Sequence, residues 1–344
     1  LVVLLDDLAA GSTACPGIDL EADNLHRYAE QLCLIQVTDG ERYELVYPLL
    51  IEDLSPFAEF LKTATLWMHG ADFDMTLLRR EFGLLPEMIL DTQIAARLLG
   101  VRKFSYANLV EQFFWVKLSK SSQKENWGQR PLPEKMCEYA KNDVRYLLPL
   151  GEKLEQQLRD KGRHDWFLDS CEAAMRRVME RDEQREDPWR IQGAGKLDRR
   201  GLGCLKTLWE GRDDEARDWD RPAFMVARNK QLIDWSLAIS KGGSMEFPRN
   251  MRGRRMKSLQ AAIAKARNLP KSELPERPRG KGRRWDDSQE AEFAKHAKRR
   301  DAVAAELDID PSILASRAVI ERLIWDEEEV SSLLLPWQRE LMGL

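Results

Sequence analysis

The first 170 residues alternate short apolar runs with helical stretches, and this alternation limits the possible folds more than any other feature of the chain. The runs at 32–37 and 66–69 are short and apolar, as buried strands are. Residues 43–47 follow the first run after a polar turn, which predicts a β-hairpin. Apolar residues recur at helical spacing over 136–147. Residues 1–170 are therefore predicted to form an α/β domain, a mixed sheet flanked by helices.

Four acidic residues stand near the ends of these predicted elements. Asp19 and Glu21 lie two apart after an apolar stretch, so both side chains would leave the same face of a strand. Asp143 lies four residues after Tyr139 in a predicted helix, so these two also share a face. Asp74 follows a predicted strand and begins a helix. Converging carboxylates repel one another unless a divalent cation lies between them, so the pattern predicts a magnesium or manganese site.

A site of this kind suits chemistry on phosphate. Hydrolysis of a phosphodiester requires a nucleophilic water and a stabilised leaving oxygen, and two metal ions roughly 3.5–4 Å apart supply both. Hard cations prefer the oxygen ligands that Asp and Glu provide. A phenol with an ordinary pKa of about 10 is a poor base but a suitable hydrogen-bond partner, so Tyr139 would orient the attacking water. Taken singly, each carboxylate could instead be a surface charge or a helix cap, and Asp72 competes with Asp74.

Composition excludes several classes of protein. The five cysteines form no CxxC pair and are odd in number, so we expect neither a disulfide framework nor a zinc site, and a cytoplasmic location fits best. The four histidines are too dispersed for a zinc cluster. No apolar run approaches the roughly 20 residues that span a bilayer, so no membrane partner is expected. A length of 344 residues favours two or three domains.

Beyond residue 170 the pattern is helical, with a long connecting helix expected over 150–186 and an internal repeat further on. Arg-Asp-x-x-Ala occurs at 212–216 and again at 300–304, and the alanines that follow also correspond. Chance similarity between amphipathic helices is the alternative, although amphipathicity does not require the matched polar residues. The predicted order of segments is a connecting helix or linker (171–194), a helical domain (195–268), a basic Pro/Gly-rich linker (269–284) and a second helical domain (285–344).

Basic residues are concentrated in one segment of an otherwise acidic chain with net charge −4. Between residues 249 and 284 there are thirteen Lys and Arg against two Glu. A local excess of this kind can bind phosphate backbones, which makes Arg252, Arg254 and Arg255 candidates for nucleic-acid binding. The alternative is a solvated linker, which the prolines and glycines also favour, and the two interpretations are compatible.

Three motifs carry the acidic residues together with their neighbours. They read Ile18-Asp19-Leu20-Glu21 followed by Gln31-Leu-Cys-Leu-Ile-Gln36, then His69-Gly-Ala-Asp-Phe-Asp74-Met-Thr-Leu-Leu78, and Tyr139-Ala-Lys-Asn-Asp143-Val-Arg-Tyr-Leu-Leu148. In these motifs the sequence resembles the ribonuclease D family, in the tyrosine-bearing subclass of the DEDD exonuclease superfamily. The segments 90–93 and 120–132 resemble it too, and the spacing of the second motif selects Asp74 over Asp72. The resemblance covers essentially the whole chain, because the helical repeats are similar to the paired HRDC-type domains of that family.

The resemblance implies an RNase H-like nuclease core that releases 5′-mononucleotides one at a time from RNA 3′ ends, with transfer RNA precursors as expected partners. It implies that Asp19, Glu21, Asp74 and Asp143 hold two divalent cations (Mg²⁺ or Mn²⁺) and that Tyr139 orients the water. One departure is the Pro-Gly pair at 16–17, just before the first motif. Proline removes a ladder donor, so the start of that strand is expected to be frayed or displaced.

Other residues near the motifs are weaker candidates for nucleic-acid contacts. His69 ends a predicted strand and would touch the terminal nucleotide, although a satisfied structural histidine is an equal alternative. Lys120, Lys124 and Arg130 lie in the loop before the helix of the third motif and would contact phosphates, although exposed basic residues are ordinarily solvated. Asp91 is interpreted as a helix cap rather than a ligand.

Two other functions remain open on the sequence alone. One is a 3′–5′ exonuclease acting on single-stranded DNA, since nothing in the sequence visibly reads a 2′-hydroxyl. The other is a catalytically silent nucleic-acid-binding protein that uses the helical repeats and the basic segment. The sequence leaves the oligomeric state undetermined.

Overall fold

A mixed five-stranded sheet forms the centre of the first part of the chain, with strand order β3-β2-β1-β4-β5. β2 and β3 are antiparallel, and β4 runs parallel to both β1 and β5. The predicted hairpin is therefore confirmed. The strand β5 was not predicted, because it has only four residues and its last residue is also the cap of the following helix. The strands are β1 (Gly17–Ala22), β2 (Leu32–Thr38), β3 (Tyr43–Val46), β4 (Thr65–Met68) and β5 (Met88–Asp91).

The computed structural model describes residues 15–119, 121–181, 187–243, 252–277, 285–325 and 330–344. Residue contacts divide the described chain into two compact units. The first unit contains residues 15–21, 32–181 and 285–344, and the second contains 22–31 and 187–277. Within the described ranges no helix is both long enough and apolar enough to cross a lipid bilayer.

The first strand begins directly after Pro16, so the prediction of a frayed start is wrong. The missing N–H of proline falls just outside the ladder, and the Pro16 carbonyl accepts a hydrogen bond from the amide of Trp67 on β4 (2.9 Å). The next residue must be small, because a Cβ on Gly17 would lie 2.6 Å from a methyl carbon of Leu148. β1 is thus held against both the neighbouring strand and a packed helix.

Helices cover this sheet, and their apolar side chains form the main core with β4 and β5. The predicted long helix over 150–186 is wrong. The chain turns at Gly162, whose φ of +65° suits a residue without a Cβ, and α6 and α7 are separate. The predicted domain boundary at 170 falls inside α7. The helices are α1 (Ser55–Leu61), α2 (Asp72–Phe82), α3 (Thr92–Leu98), α4 (Tyr106–Phe114), α5 (Glu134–Arg145), α6 (Leu147–Asp160) and α7 (His164–Glu180).

The second unit is helical and has its own core. Its helices are α8 (Arg199–Trp219), α9 (Ala223–Val226), α10 (Asn229–Ser240) and α11 (Arg254–Arg267). Residues 22–31, which begin at the last residue of β1, belong to this unit and make polar contacts with α8 and with Asp220, the residue after it. The Tyr28 hydroxyl donates to Asp213 (2.8 Å), and Arg27 pairs with Asp220 (2.8 Å).

The last helices belong to the first unit and share its main core. They are α12 (Asp287–Leu307), α13 (Pro311–Leu314), α14 (Arg317–Trp325), α15 (Val330–Leu333) and α16 (Pro336–Met342). Arg163 donates to the carbonyls of Leu98 (2.7 Å) and Leu307 (2.8 Å), so one side chain joins the sheet domain to α12. Trp337 stacks on Trp166 with ring centroids 4.9 Å apart. These contacts fix the C-terminal helices against the sheet domain.

The internal repeat is confirmed at the level of single contacts. Arg212 donates to the carbonyl of Ala227, fifteen residues later, and Arg300 donates to the carbonyl of Ala315, also fifteen residues later, both at 3.3 Å. Helices α8 and α12 are 21 residues long, and each ends at an aspartate in the left-handed conformation. The matched arginines therefore hold the same helix–loop–helix corner in both segments.

Candidate active site

Three of the predicted carboxylates meet at one point of the first unit. Asp19 and Glu21 leave the same face of β1, and Asp143 reaches them from α5, which packs on β2 and β3. One oxygen from each of the three carboxylates lies within 4.8 Å of the others. Residues separated by more than 120 positions in the chain are thus brought within the span of a single coordination sphere.

The fourth carboxylate, Asp74, lies beside this cluster in the first turn of α2 and is buried. Its carboxylate accepts a hydrogen bond from the backbone amide of Leu20, the residue between Asp19 and Glu21. Burial raises the pKa of Asp74 well above its ordinary value, and the charge of Asp19 adds to the rise. Asp74 therefore interacts electrostatically with the cluster, although its carboxylate is not one of the three that lie within 4.8 Å of one another. The second-motif spacing selected it correctly over Asp72, which is exposed and pairs with Arg181 (2.8 Å).

The clustered carboxylates strongly favour the binding of protons or of a cation. Burial raises the pKa of Asp19 to about 7 and, with the charge of Asp19 as the next cause, raises that of Asp143 to about 9. The pKa of Glu21 rises to about 10, first through burial and then through the charges of Asp19, Asp143 and Asp74. Without a cation, Glu21 and Asp143 hold protons at neutral pH, and Asp19 is about half protonated. An oxygen-only donor set of this kind fits a hard divalent cation.

Tyr139 lies where the third motif predicted, one helical turn before Asp143 and on the same side of α5. Its hydroxyl hydrogen-bonds to the Asp143 carboxylate and also contacts Gln123. Its ring packs against the buried Trp127 with centroids 6.0 Å apart. Burial raises the pKa of the phenol further above its ordinary value, and the charges of Asp143, Glu21 and Asp19 add to the rise. Tyr139 is therefore a neutral hydrogen-bonding group beside the cluster.

Gln36 is a residue of the site to which the sequence analysis gave no role. Its side-chain amide on β2 donates to Asp19 Oδ2 at 3.4 Å, and the residue is fully buried. Its other amide atom, Oε1, is buried without a hydrogen-bond partner. The signal was present in the sequence, because a glutamine stands inside the otherwise apolar run Leu-Cys-Leu-Ile-Gln-Val.

His69 lies at the end of β4 with a defined tautomer. The Thr92 hydroxyl donates its only hydrogen to the Met68 carbonyl (3.2 Å), so its oxygen accepts from Nδ1 of His69 (2.9 Å). Burial lowers the pKa of His69, which keeps the ring neutral. Nε2 is therefore a hydrogen-bond acceptor. The ring lies against Tyr106 at 5.4 Å between centroids.

Asp91 is a helix cap, as predicted. Its carboxylate accepts from the amide of Gln93 in the first turn of α3 (2.7 Å). It also accepts from the amides of Gly70 (2.9 Å) and Ala71 (3.0 Å), which precede α2. One side chain thus fixes the starts of two helices, including the one that carries Asp74.

The weaker candidates have varied surroundings. Arg130 is partly buried, and it donates to the carbonyls of Cys33 (2.5 Å), Trp127 (2.7 Å) and Gln129 (2.7 Å), which gives it a structural role. Lys124 is exposed, and Lys120 lies outside the described residues.

The three basic candidates of the helical region lie in the second unit, at and before the start of α11. Arg252 is exposed, Arg254 pairs with Asp218, and the guanidinium of Arg255 lies 4.1 Å from the ring centre of Trp219. A cationic surface with an aromatic side chain is therefore present at this end of α11.

A mixed sheet whose first strand carries two carboxylates, completed by acidic residues from two helices, defines a metal-dependent nuclease fold. In agreement, a family of 3′–5′ exonuclease domains matches residues 4–159. The chain is 35% identical to ribonuclease D of Escherichia coli strain K12 over 288 residues, which is 79% of this chain and 75% of that protein. It is also 35% identical to ribonuclease D of Cronobacter turicensis over 75% of this chain and 72% of that protein.

Solved structures agree with these relatives. The crystal structure of E. coli RNase D matches 99% of this chain and 94% of its own with a TM-score of 0.71 and 30% identity. A protein from Bifidobacterium adolescentis has the same fold, with a TM-score of 0.81 at 22% identity over 99% of this chain and 92% of its own. The chain belongs to the ribonuclease D family, and it is a nuclease whose fold implies the use of divalent metal.

Proposed function

We propose that this 3′–5′ exoribonuclease removes nucleotides one at a time from RNA 3′ ends by two-metal-ion hydrolysis and releases 5′-mononucleotides. The observation that supports the mechanism most directly is the approach of Asp19, Glu21 and Asp143 to within 4.8 Å. Three partly buried carboxylates at that separation are unfavourable in a folded protein unless a cation binds them. No structural role requires all three, so a metal-dependent function explains their retention.

In this proposal Asp19, Glu21, Asp74 and Asp143 hold the cations, which are magnesium or manganese because all the donors are oxygens. The bound ions supply a nucleophilic water near neutral pH and stabilise the leaving oxygen. The protein holds its ligands in place through Gln36, which donates to Asp19, and through the Leu20 amide, which donates to Asp74.

Tyr139 orients the attacking water rather than removing its proton. Its pKa is raised above an already high ordinary value, so the phenol keeps its hydrogen at any physiological pH. The hydroxyl interacts with the Asp143 carboxylate and with Gln123, which restricts its direction. A fixed hydroxyl of this kind positions a water next to the cluster.

His69 contacts the terminal nucleotide in this proposal, as an acceptor. Because Nδ1 is used by Thr92, Nε2 is left to accept a hydrogen from a ribose hydroxyl or a base amino group. In this role the imidazole stays neutral, and it needs no second proton to accept a hydrogen bond. Lys124 and the arginines at 252, 254 and 255 are the proposed phosphate contacts outside the cluster.

Structured RNA precursors such as transfer RNA are the proposed substrates. The solved E. coli relative is described as an exoribonuclease involved in structured RNA processing. We retain the proposal that the two helical segments are HRDC-type domains, supported by the matching arginine–carbonyl contacts. The cytoplasm is the proposed location, supported by the five cysteines, which form no disulfide with one another.

The test compares RNA and DNA strands of the same sequence, each with a single-stranded 3′ extension and a 5′ label. With Mg²⁺ or Mn²⁺ the protein should shorten the RNA one nucleotide at a time, and EDTA should stop the reaction. Asp143→Asn should lower kcat at least a thousandfold, whereas Glu138→Gln, an exposed change on the same helix, should not. Full activity of Asp143→Asn would overturn the site. Preferential shortening of the DNA would overturn the substrate but not the mechanism.

A further inference from the structure

Trp115 is the most exposed of the large apolar side chains in the described part of the chain, with 89% of its surface open to solvent. It follows α4 directly and has a left-handed backbone conformation, φ 60°. Glycine or asparagine is the usual residue at such a position, because a side chain with a Cβ is strained there. The indole of Trp115 therefore contributes neither to helix capping nor to the core.

The backbone of Trp115 is nevertheless held in place. Its amide donates to the carbonyl of Glu111 (3.0 Å) and closes α4. The preceding residue, Phe114, packs against the ring of Tyr146 at 5.3 Å and under the ammonium of Lys153 at 5.7 Å. The indole is thus presented to solvent from a fixed point rather than from a long loop.

That fixed point is linked through Tyr146 to the helix that carries Asp143. Tyr146 lies three residues after Asp143, and its amide donates to the Tyr106 hydroxyl (3.1 Å). Tyr146 also packs on Phe114. The residue that follows the Asp143 helix therefore contacts Phe114, and Trp115 is the next residue.

The charges around the indole suit a phosphate backbone. Lys117 is 84% exposed two residues later and pairs only loosely with Glu111, at 3.6 Å. Lys153 adds a second ammonium, which lies over the ring of Phe114, the residue before Trp115. Exposed aromatic rings beside basic side chains are the usual means of holding single-stranded nucleic acid, because any base can stack on a ring.

We propose that the indole of Trp115 stacks on a base of the RNA strand a few nucleotides upstream of the 3′ end held at the acidic cluster. The proposal rests on the proposed function, since it requires a strand whose end is bound there. In this role Trp115 strengthens the binding of longer RNA substrates and takes no part in the hydrolysis step. In this proposal a dinucleotide held at the cluster leaves the indole unoccupied, whereas an octanucleotide extends to it.

The experiment measures kcat/KM for a single-stranded RNA octamer and for a dinucleotide, with Mg²⁺ or Mn²⁺. Trp115→Gly should fold at least as well as the natural chain, because glycine fits φ 60° without strain. The ratio of octamer to dinucleotide kcat/KM should fall about tenfold, through KM, because a stacked base commonly contributes that much or more. Trp115→Phe should restore most of the ratio, since it keeps a ring.

Leu50→Ala is the matched control, because Leu50 is also an exposed apolar residue, at 68%. Its ratio should equal that of the natural chain. An unchanged ratio in Trp115→Gly would overturn the proposal, and so would an equal loss on both substrates or a failure of Trp115→Phe to restore the ratio. If the natural chain released no mononucleotides from either RNA, the proposed function itself would fail, which is a separate outcome.

Discussion

Asp143→Asn should make the metal-free protein more stable while it abolishes activity. The reason is the separation of the three clustered carboxylates, whose oxygens lie within 4.8 Å of one another. At an effective dielectric constant of 20, two unit charges at that distance repel by about 3 kcal/mol. The protein reduces this cost by retaining protons, which is why the pKa values of Asp143 and Glu21 rise to about 9 and about 10.

Part of that cost disappears when Asp143 becomes an isosteric amide. Asparagine fits the same space, and its oxygen still accepts from Tyr139. Because proton retention already relieves some of the repulsion, we expect a gain of about 1–3 kcal/mol in the free energy of unfolding at pH 8. For a domain of this size that corresponds to about 3–10 °C in the midpoint of thermal unfolding.

Thermal unfolding in EDTA and in excess Mn²⁺ tests the argument. In EDTA the variant should unfold at the higher temperature. Saturating metal should stabilise the natural chain by about 2–4 kcal/mol and the variant by much less. Glu138→Gln, an exposed change on the same helix, should alter neither midpoint by more than about 0.5 kcal/mol. A folded Asp143→Asn that is no more stable than the natural chain in EDTA would refute the reasoning.

Three further predictions follow from the same structure. In EDTA, the free energy of unfolding should fall as the pH rises from about 4 to about 10. The reason is that carboxyls with pKa values raised to between about 7 and about 10 bind more protons in the folded chain than in the unfolded chain. A flat or rising profile in urea unfolding would contradict this. Gln36→Met should keep the fold, because it removes a buried amide oxygen that has no hydrogen-bond partner. It should weaken Mn²⁺ binding, measured by calorimetry, about tenfold or more, because Asp19 loses its hydrogen-bond donor. Unchanged affinity would show that Gln36 does not position Asp19. Gly100→Ala should destabilise the protein by at least about 2 kcal/mol more than Gly83→Ala. Both glycines have a left-handed φ, but only at Gly100 would the added Cβ lie 2.0 Å from a backbone oxygen, that of Asp308. Equal midpoints of thermal unfolding would contradict the observed docking of α12.

The site was more predictable from the sequence than the fold around it. Carboxylates two apart on a strand and a tyrosine one turn before an aspartate follow from local periodicity, and the structure places these residues on shared faces. Asp74 needed the motif spacing, because periodicity alone did not distinguish it from Asp72. Gln36 was visible as a polar residue in an apolar strand, but its role depends on the neighbouring strand, which a one-dimensional pattern does not specify.

Longer-range features escaped prediction for a different physical reason. The break at Gly162 was missed because a single glycine is compatible with a helix on propensity alone, and only the packing of α6 and α7 requires the turn. The attachment of the C-terminal helices depends on Arg163 and on the close approach at Gly100, neither of which has a local signature. A basic residue in a helical region predicts solvent exposure, whereas Arg163 is buried and donates to two carbonyls.

Asp91 shows how a residue outside the cluster determines its geometry. Its carboxylate accepts the amide hydrogens of Gly70 and Ala71 before α2 and of Gln93 in α3. A carboxylate at a helix start is stabilised by the unpaired amides there, so this aspartate has a structural role, whereas the four acidic residues nearby are proposed as metal ligands. The direction from which Asp74 approaches β1 therefore depends on Asp91, seventeen residues later in the chain. A carboxylate that accepts from three amides needs no metal, and this distinguishes Asp91 from the four proposed ligands.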